Sequence, residues 1–233
     1  MSFKSKGYGV IKKAISKELA DFCYNYFLIK RSVADTFFTH NYLKGDKNSE
    51  WGTWNDPQVP NVYSHYADTC METLLLKLKN KMEKYTGLKL VPTYSYARLY
   101  EKGATLFRHK DRPSCEISTT LNLGGELWPI YIDPTGEDNI LAQEYTNKGE
   151  EVKLKRGAHK GVKVDLSVGD MLVYRGCNLE HWRKPFKGKT CGQVFLHYNK
   201  ANSKMAKENY LDRRPLLGAP SWFKGVKLTK PTK

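Results

Sequence analysis

The chain has 233 residues and carries 39 Lys and Arg against 24 Asp and Glu, for a formal net charge of +15. This length suits one large domain or two small ones, and a hydrophobic content of 40% excludes a disordered chain. No apolar run approaches the ~20 residues of a membrane helix, and the basic start lacks the apolar region of a secretory signal peptide. We therefore expect a cytoplasmic protein without membrane association.

The first 88 residues show helical periodicity. Over residues 16–30, apolar side chains recur at the i, i+3, i+4 spacing of a helix with one buried face, and Ser16 is suited to cap its N-terminus. Residues 41–63 are rich in Gly, Asn, Asp and Pro, which predicts a loop. A second amphipathic helix is predicted over residues 71–85, with Gly87 as its terminator.

After Gly87 the pattern changes to short segments rich in β-branched and aromatic residues, separated by Gly, Pro and Asp. Helices followed by a run of strands predict an α+β fold, with helices over about 1–88 bracing an antiparallel sandwich or barrel over about 89–199. Residues 133–163 are a long polar insertion between strands. The predicted strands cover 93–100, 116–123, 126–132, 163–168, 170–175 and 191–199.

The last 34 residues, 200–233, are strongly basic. They hold nine Lys and Arg against Glu208 and Asp212, a net +7, together with three prolines. This composition predicts an extended tail that wraps on the domain or hangs off it, outside the core.

The cysteines do not suggest a zinc finger or ribbon. They are odd in number, widely spaced and without a CxxC pair, so we expect reduced thiols in the cytoplasm. The five are Cys23, Cys70, Cys115, Cys177 and Cys191.

The segment around His109 and Asp111 is the most informative part of the chain. In a strand, residues i and i+2 point to the same face, so this imidazole and carboxylate can converge on one point. They would supply two ligands of a facial triad that leaves coordination positions open. The third ligand must be a histidine from elsewhere, and the tripeptide by itself is a weak signal.

His181 is the best candidate for the third ligand. It follows a strand and turn over residues 169–180 and lies at the start of another strand, 70 residues after Asp111. His197, in the last predicted strand, can face the same cavity as a neighbour of the ligands. Structural or solvated roles are expected for His40, His65 and His159.

Three ordered motifs resemble those of the iron(II)- and 2-oxoglutarate-dependent dioxygenases, and the similarity is greatest to the prolyl 4-hydroxylase-like branch that includes bacterial and phage versions. The motifs are YxxGxxxxxHxD over 100–111, ExSxTLNL over 116–123 and GDMLVYxGxxxEHWRxPFxG over 169–188. The resemblance covers about residues 90–199. It implies a double-stranded β-helix (jelly-roll), with His109, Asp111 and His181 as catalytic iron ligands at its open mouth. It also implies Fe(II), 2-oxoglutarate as cosubstrate and O₂, with ascorbate as a candidate reductant.

The chain departs from the family at the cation that holds the far carboxylate of 2-oxoglutarate. Most members place an Arg or Lys nine to twelve residues after the last histidine, where this chain has 190–193, TCGQ. An arginine fork suits a carboxylate best, so Arg183 is the first candidate, Lys189 the second and Arg98 the third. Tyr100, Thr120 and Gln193 are expected to contact the cosubstrate through hydrogen bonds.

The substrate stays open at this stage. The resemblance favours a prolyl residue in a peptide or protein, and long loops and abundant Tyr and Trp suit a peptide groove. The same fold also serves alkylated-base repair, which the charge would suit, and hydroxylation of free amino acids or other small molecules. A non-enzymatic jelly-roll binding protein is the alternative from another class. Nucleic acid is a compatible partner that the sequence does not require, since nearly half of the net charge lies in the tail.

Overall fold

The computed structural model describes residues 3–43, 50–142 and 152–225. Its helices are α1 (Phe3–Lys6), α2 (Lys17–Thr39), α3 (Thr69–Thr86) and α4 (Lys204–Glu208). Its strands are β1 (Tyr8–Ile11), β2 (Tyr63–Tyr66), β3 (Leu90–Glu101), β4 (Leu106–His109), β5 (Ile117–Gly125), β6 (Ile130–Ile132), β7 (Ile140–Ala142), β8 (Lys153–Leu154), β9 (Val162–Val164), β10 (Met171–Tyr174), β11 (His181–Arg183) and β12 (Thr190–Lys200). Short 3₁₀ turns occur at Pro113–Cys115, Tyr210–Arg213 and Ser221–Phe223. Among the described helices, none has the length and apolarity needed to cross a membrane.

The strands form two antiparallel sheets and a separate hairpin. The larger sheet has the order β1-β10-β5-β12-β3-β2, the smaller sheet has the order β4-β11-β6-β9, and β7 pairs with β8. In the smaller sheet every pair is antiparallel, and His181 of β11 lies directly opposite His109 of β4. This arrangement is a double-stranded β-helix, so the predicted fold class is confirmed.

Helices α2 and α3 brace the outer face of the larger sheet. In β12, Val194, Leu196 and Tyr198 belong to the core cluster shared with these helices, while Phe195 packs inside the barrel. This alternation follows from the two-residue period of a strand. Each helix buries an apolar face in this cluster, and Phe27 is one of the α2 residues in it.

Both predicted helices are present, and the capping residues predicted from the sequence lie at the start of α2 and at the end of α3. Ser16 caps α2 by accepting a hydrogen bond from the Leu19 N–H, and Gly87 ends α3 in the left-handed conformation at φ 72°. Helix α2 continues beyond residue 30 to Thr39, because Ala34 is fully buried and Phe38 packs edge-on against Trp54.

The N-terminal region is more than a helical support, which corrects the sequence-based expectation. β1 adds to the edge of the larger sheet beside β10, and β2 adds to its other edge beside β3. Both strands have only four residues, too few for their alternation to stand out. The predicted strand over 126–132 is shortened to β6, since Pro129 interrupts it.

The described part of the basic tail lies against the domain. Arg214 is fully buried and donates to the Glu72 carboxylate at 2.7 Å and to the Thr93 carbonyl at 3.0 Å. The expected appendage therefore shares a buried ion pair with helix α3. Residues 226–233 lie outside the described residues, and the division into a domain over 1–199 and a tail stays a prediction.

Candidate metal centre

His109, Asp111 and His181 converge at one mouth of the barrel. His109 ends β4 and His181 begins β11, and the two strands are neighbours in register, so their rings lie 4.2 Å apart between centroids. Asp111 follows β4, and its Oδ1 lies 3.5 Å from the Nε2 of each histidine. One ligand atom from each residue falls within 4.8 Å of the others.

Backbone carbonyls fix the orientation of both imidazoles. The Nδ1 of His109 lies 2.7 Å from the Phe107 carbonyl, and the Nδ1 of His181 lies 3.0 Å from the Leu179 carbonyl. A carbonyl oxygen can only accept a hydrogen bond, so each ring carries a hydrogen on Nδ1 and turns its Nε2 toward the shared centre. This is the usual support for a histidine that binds a metal.

The Asp111 carboxylate is positioned from its other side. Its Oδ2 accepts a hydrogen bond from the Ser118 hydroxyl at 2.7 Å, and its backbone N–H donates to the Gly176 carbonyl at 2.9 Å. A Cβ at Gly176 would overlap Asp111 Oδ2, Ser118 Oγ and the Cys115 carbonyl. Only glycine lets the 175–178 turn pass this close to the carboxylate.

The electrostatics favour a cation at this point. Burial, with the neighbouring His181, lowers the pKa of His109, which keeps the imidazole neutral. Burial alone would raise the pKa of Asp111, but the two imidazoles hold it well below its ordinary value. Two imidazoles and an ionised carboxylate are the donor set of non-haem Fe(II) sites with open positions. The residues present therefore fit a divalent metal.

His197 lies one hydrogen bond away from the Asp111 carboxylate. Its Nδ1 is 3.0 Å from the Ser118 hydroxyl that donates to Asp111, and burial lowers its pKa to about 4. Asp111, Cys115 and His197 also offer three ligand atoms within 4.8 Å of one another. Because that set shares Asp111, it cannot act independently of the first.

A buried ionic network supports the two ligand strands from behind. Arg108, the residue before His109, donates to Glu180, the residue before His181, at 2.6 Å and also contacts Asp133. These three side chains are buried, and the Arg108 guanidinium stacks on Trp182 at 4.3 Å. The network joins β4 to β11 on the face away from the metal centre, and sequence patterns gave no sign of it beyond the charged residues flanking each histidine.

The other histidines lie elsewhere. His40 caps the end of α2, His65 contacts the Asp68 carboxylate at 3.1 Å, and the His159 carbonyl accepts from Arg108 at 2.7 Å. None of the three is close enough to join a metal cluster within the described residues.

Arg183 is a buried cation without a carboxylate partner among the described residues. Its side chain is 1% exposed, and burial lowers its pKa. The guanidinium donates to the Trp128 carbonyl and, at 3.2 and 3.3 Å, to the Thr120 hydroxyl and the Gln193 carbonyl oxygen. Within the described part of the chain, its Nε has no hydrogen-bond partner. A buried charge in this state calls for an anion.

The remaining anchor candidates are placed differently. Arg98 is buried but already holds Asp56 at 2.5 Å and Gln58 at 2.8 Å, and it donates to the Tyr100 hydroxyl at 3.4 Å. Lys189 is exposed, on the segment leading into β12. Thr120 and Gln193 bind each other at 3.0 Å beside Arg183.

A cavity at the metal centre opens onto a larger groove beside it. The metal cavity, about 260 Å³, is lined by the three converging residues and by Arg98 and His197, whereas Arg183 is not among its lining residues. A groove of about 1060 Å³ adjoins it, and the two share Asp56, Tyr94, Tyr96 and Arg112. The groove is bordered by residues 50–57, by β2 and by residues 218–224. Sequence reasoning missed Asp56, Tyr94 and the C-terminal border, since these come from distant parts of the chain.

Comparison with known proteins identifies the architecture by structure alone. No protein-family model matches the chain, and no curated protein matches its sequence. A prolyl-4-hydroxylase from Pseudomonas putida superposes with a TM-score of 0.55 at 11% identity, over 85% of this chain and 95% of that one. A prolyl hydroxylase from Trichoplax adhaerens, in complex with a hypoxia inducible factor peptide fragment, gives 0.54 at 11% identity, over 85% and 86%.

A third neighbour carries ligands. HygX from Streptomyces hygroscopicus, with nickel, 2-oxoglutarate and hygromycin B bound, gives a TM-score of 0.56 at 13% identity, over 86% of this chain and 85% of that one. At these identities the likeness shows the fold. The chain has the double-stranded β-helix that these 2-oxoglutarate oxygenases share.

Proposed function

We propose that this protein is an Fe(II)- and 2-oxoglutarate-dependent dioxygenase that hydroxylates an unactivated C–H bond. The observation that carries the proposal is the convergence of His109 Nε2, His181 Nε2 and Asp111 Oδ1 at the mouth of a double-stranded β-helix. A binding module of this fold has no need for two oriented imidazoles around one ionised carboxylate. The neighbour HygX, which has nickel and 2-oxoglutarate bound, supports a divalent metal and 2-oxoglutarate for this chain.

His109, Asp111 and His181 would hold the iron, and Ser118 would keep the Asp111 carboxylate turned toward it. When bound, iron and 2-oxoglutarate supply the oxidation, in which O₂ converts 2-oxoglutarate to succinate and CO₂ and leaves one oxygen atom for the substrate. Arg183 would anchor the far carboxylate of 2-oxoglutarate, since it is the buried guanidinium without a carboxylate partner in the described residues. Thr120 and Gln193, which lie beside Arg183, would contact the same carboxylate.

The substrate we propose is a prolyl residue in a peptide or protein. The groove supports it, because an open space of about 1060 Å³ beside the metal cavity admits an extended chain rather than one small molecule. Two of the structural neighbours are prolyl hydroxylases, and one of these binds a peptide. The neighbour with hygromycin B bound makes a small-molecule substrate the alternative.

Succinate formation tests the reaction directly. The full-length protein is incubated with 2-oxoglutarate, O₂ and ascorbate, with and without Fe(II), and succinate is measured. We expect iron-dependent succinate even without a substrate, as uncoupled turnover, and a larger yield with proline-bearing peptides that gain the mass of one oxygen atom. Silence in the presence of iron would overturn the oxygenase and favour the binding protein.

The test variant is His181→Ala, and its control is His40→Ala. The first removes a proposed ligand, while the second removes an exposed ring whose backbone alone caps α2. Only the first should lose succinate. Oxygen transfer to hygromycin-like aminoglycosides but not to peptides would replace the peptide substrate with a small molecule and keep the oxygenase.

A further inference from the structure

The C-terminal segment, defined as residues 209–224, places one buried carboxylate between two cations of the groove. Asp212 accepts from both terminal nitrogens of Arg112 at 2.7 and 2.8 Å and from the Lys224 ammonium at 2.7 Å. The Ser114 and Tyr66 hydroxyls donate to the same carboxylate at 2.6 and 2.5 Å. Both carboxylate oxygens of Asp212 are therefore occupied by donors from this corner of the groove.

Both cations keep an accessible face. The side chain of Arg112 is 45% exposed and that of Lys224 is 32% exposed, and both line the groove. Arg112 lies 4.4 Å above the Tyr94 ring, and Lys224 lies 5.2 Å from the Tyr66 ring. These two rings stack at 5.0 Å, so the cations sit side by side on one aromatic wall.

Among the described residues, the charges within hydrogen-bond distance of the Asp212 carboxylate do not cancel. One carboxylate, Asp212, faces two cations, which leaves one positive charge in excess. The other cations in or behind the groove each have a carboxylate of their own, since Lys30 pairs with Asp68, Arg98 with Asp56 and Arg214 with Glu72. The excess therefore lies at the end of the groove nearest the metal cavity, because Arg112 borders both spaces.

Resting on the proposed oxygenase function, we propose that the substrate is a peptide with an acidic side chain close to the hydroxylated residue. Arg112 and Lys224 contact that acid, and the C-terminal segment is the wall of the groove that selects it. Because Arg112 directly follows Asp111, and an extended chain advances about 3.3–3.6 Å per residue, the acid lies within about two residues of the reacted one.

A nucleic acid fits this groove less well. A phosphate backbone needs a track of several free cations, but most cations here are already paired. Glu50 and Asp56 also line the groove and would repel phosphates. A single acidic group at one end satisfies the one excess charge and leaves those two carboxylates uncontacted.

Equilibrium binding tests the proposal without requiring turnover. Fluorescently labelled heptapeptides with a central proline carry Glu, Gln or Lys at a position next to it. They are titrated against the full-length protein with Fe(II) and 2-oxoglutarate under anaerobic conditions. We expect the Glu peptide to bind about fivefold more tightly than its Gln match, as one partly exposed ion pair allows.

Charge variants separate recognition from support of the fold. Lys224→Gln should remove the preference for Glu, and Lys224→Glu should shift it toward the Lys peptide, a gain that a structural defect cannot produce. Lys207→Glu, an exposed position on α4 away from the groove lining, is the charge-matched control and should keep the preference for Glu. Equal binding of the three peptides by the unmodified protein would overturn the proposal.

Two further outcomes are informative. A single-stranded oligonucleotide that binds more tightly than the Glu peptide, with a steep salt dependence, would overturn the acidic peptide as the ligand. Absence of succinate formation together with an intact preference for Glu would contradict the oxygenase while supporting the acidic-ligand site. The failures of the two proposals are thus distinguishable.

Discussion

The metal centre and the groove beside it are built in different ways. The metal centre comes from two neighbouring strands in register, and each histidine is oriented by the carbonyl two residues before it. The groove is assembled from residues 50–57, from β2, from β3 and from residues 218–224, which are far apart in the chain. A site made of local contacts can be read from spacing, whereas a site made of distant segments depends on how the tail packs.

The largest effect is expected at the metal centre. His109→Ala or Asp111→Ala should lower succinate formation by more than about a hundredfold, since even residues that merely support a metal ligand are worth 10–100-fold. Circular dichroism should show that the fold survives, because both side chains lie at the open end of the barrel. Unchanged succinate formation in either variant would contradict the assignment of these residues as metal ligands.

Gly176→Ala probes the same centre through its packing. A methyl group there meets Asp111 Oδ2 and the Cys115 carbonyl, so we expect Fe(II) affinity to fall by about tenfold or more. Gly157→Ala is the matched control, because no atom of the described residues lies within 4 Å of its Cβ and its cost is backbone strain. Metal titration of the two variants compares them, and equal affinity would show that the close approach is unimportant.

Arg183→Met tests whether Arg183 anchors the far carboxylate of 2-oxoglutarate. Loss of a charge-assisted contact should raise the 2-oxoglutarate requirement by about tenfold or more and leave the iron requirement unchanged. Lys189→Ala, at an exposed position, should titrate normally. A normal titration for Arg183→Met would move the anchor to Arg98, which lines the metal cavity, or to Lys189.

Asp212→Asn tests how much the ion pairs of the groove contribute to stability. Breaking a buried ion pair should cost about 3 kcal/mol of unfolding free energy at neutral pH. Burial alone would raise the pKa of Asp212, but Arg112, Lys224 and Ser114 hold it well below its ordinary value. Stability from this carboxylate is thus present above its unfolded pKa of about 3.9 and is lost as the pH falls below it.

Denaturant unfolding as a function of pH measures that effect. The unmodified protein should lose stability between about pH 5 and pH 2, and Asp212→Asn should lose less over the same interval. Parallel curves would show that Asp212 is not responsible for the acid sensitivity.

The sequence allowed the fold and the centre to be predicted, but only part of what surrounds them. Segments rich in β-branched and aromatic residues between Gly, Pro and Asp marked β3, β5, β10 and β12, and the HxD pair with a later histidine marked the metal centre. Ser118 and Gly176 stood in recognised motifs, yet their contacts with Asp111 depend on a turn that packs across the barrel mouth. Spacing along one strand cannot show such a contact.

The tail shows the limit most clearly. Asp212 and Arg214 were predicted to lie in an appendage outside the core, but both are buried. Asp212 pairs with Arg112, 100 positions away, and Arg214 pairs with Glu72, 142 positions away. Arg183 also needed the structure, since only the absence of a carboxylate partner in the described residues separates it from Arg98. Composition measures how many charges a segment has, and the fold decides which of them remain unpaired.

A crystal structure of the protein with a divalent metal and 2-oxoglutarate bound would show whether the three residues form the proposed iron site. We expect a metal held by His109, Asp111 and His181, with 2-oxoglutarate on that metal and its far carboxylate on Arg183. A metal bound elsewhere, or an ordered 2-oxoglutarate that does not contact the metal, would contradict it.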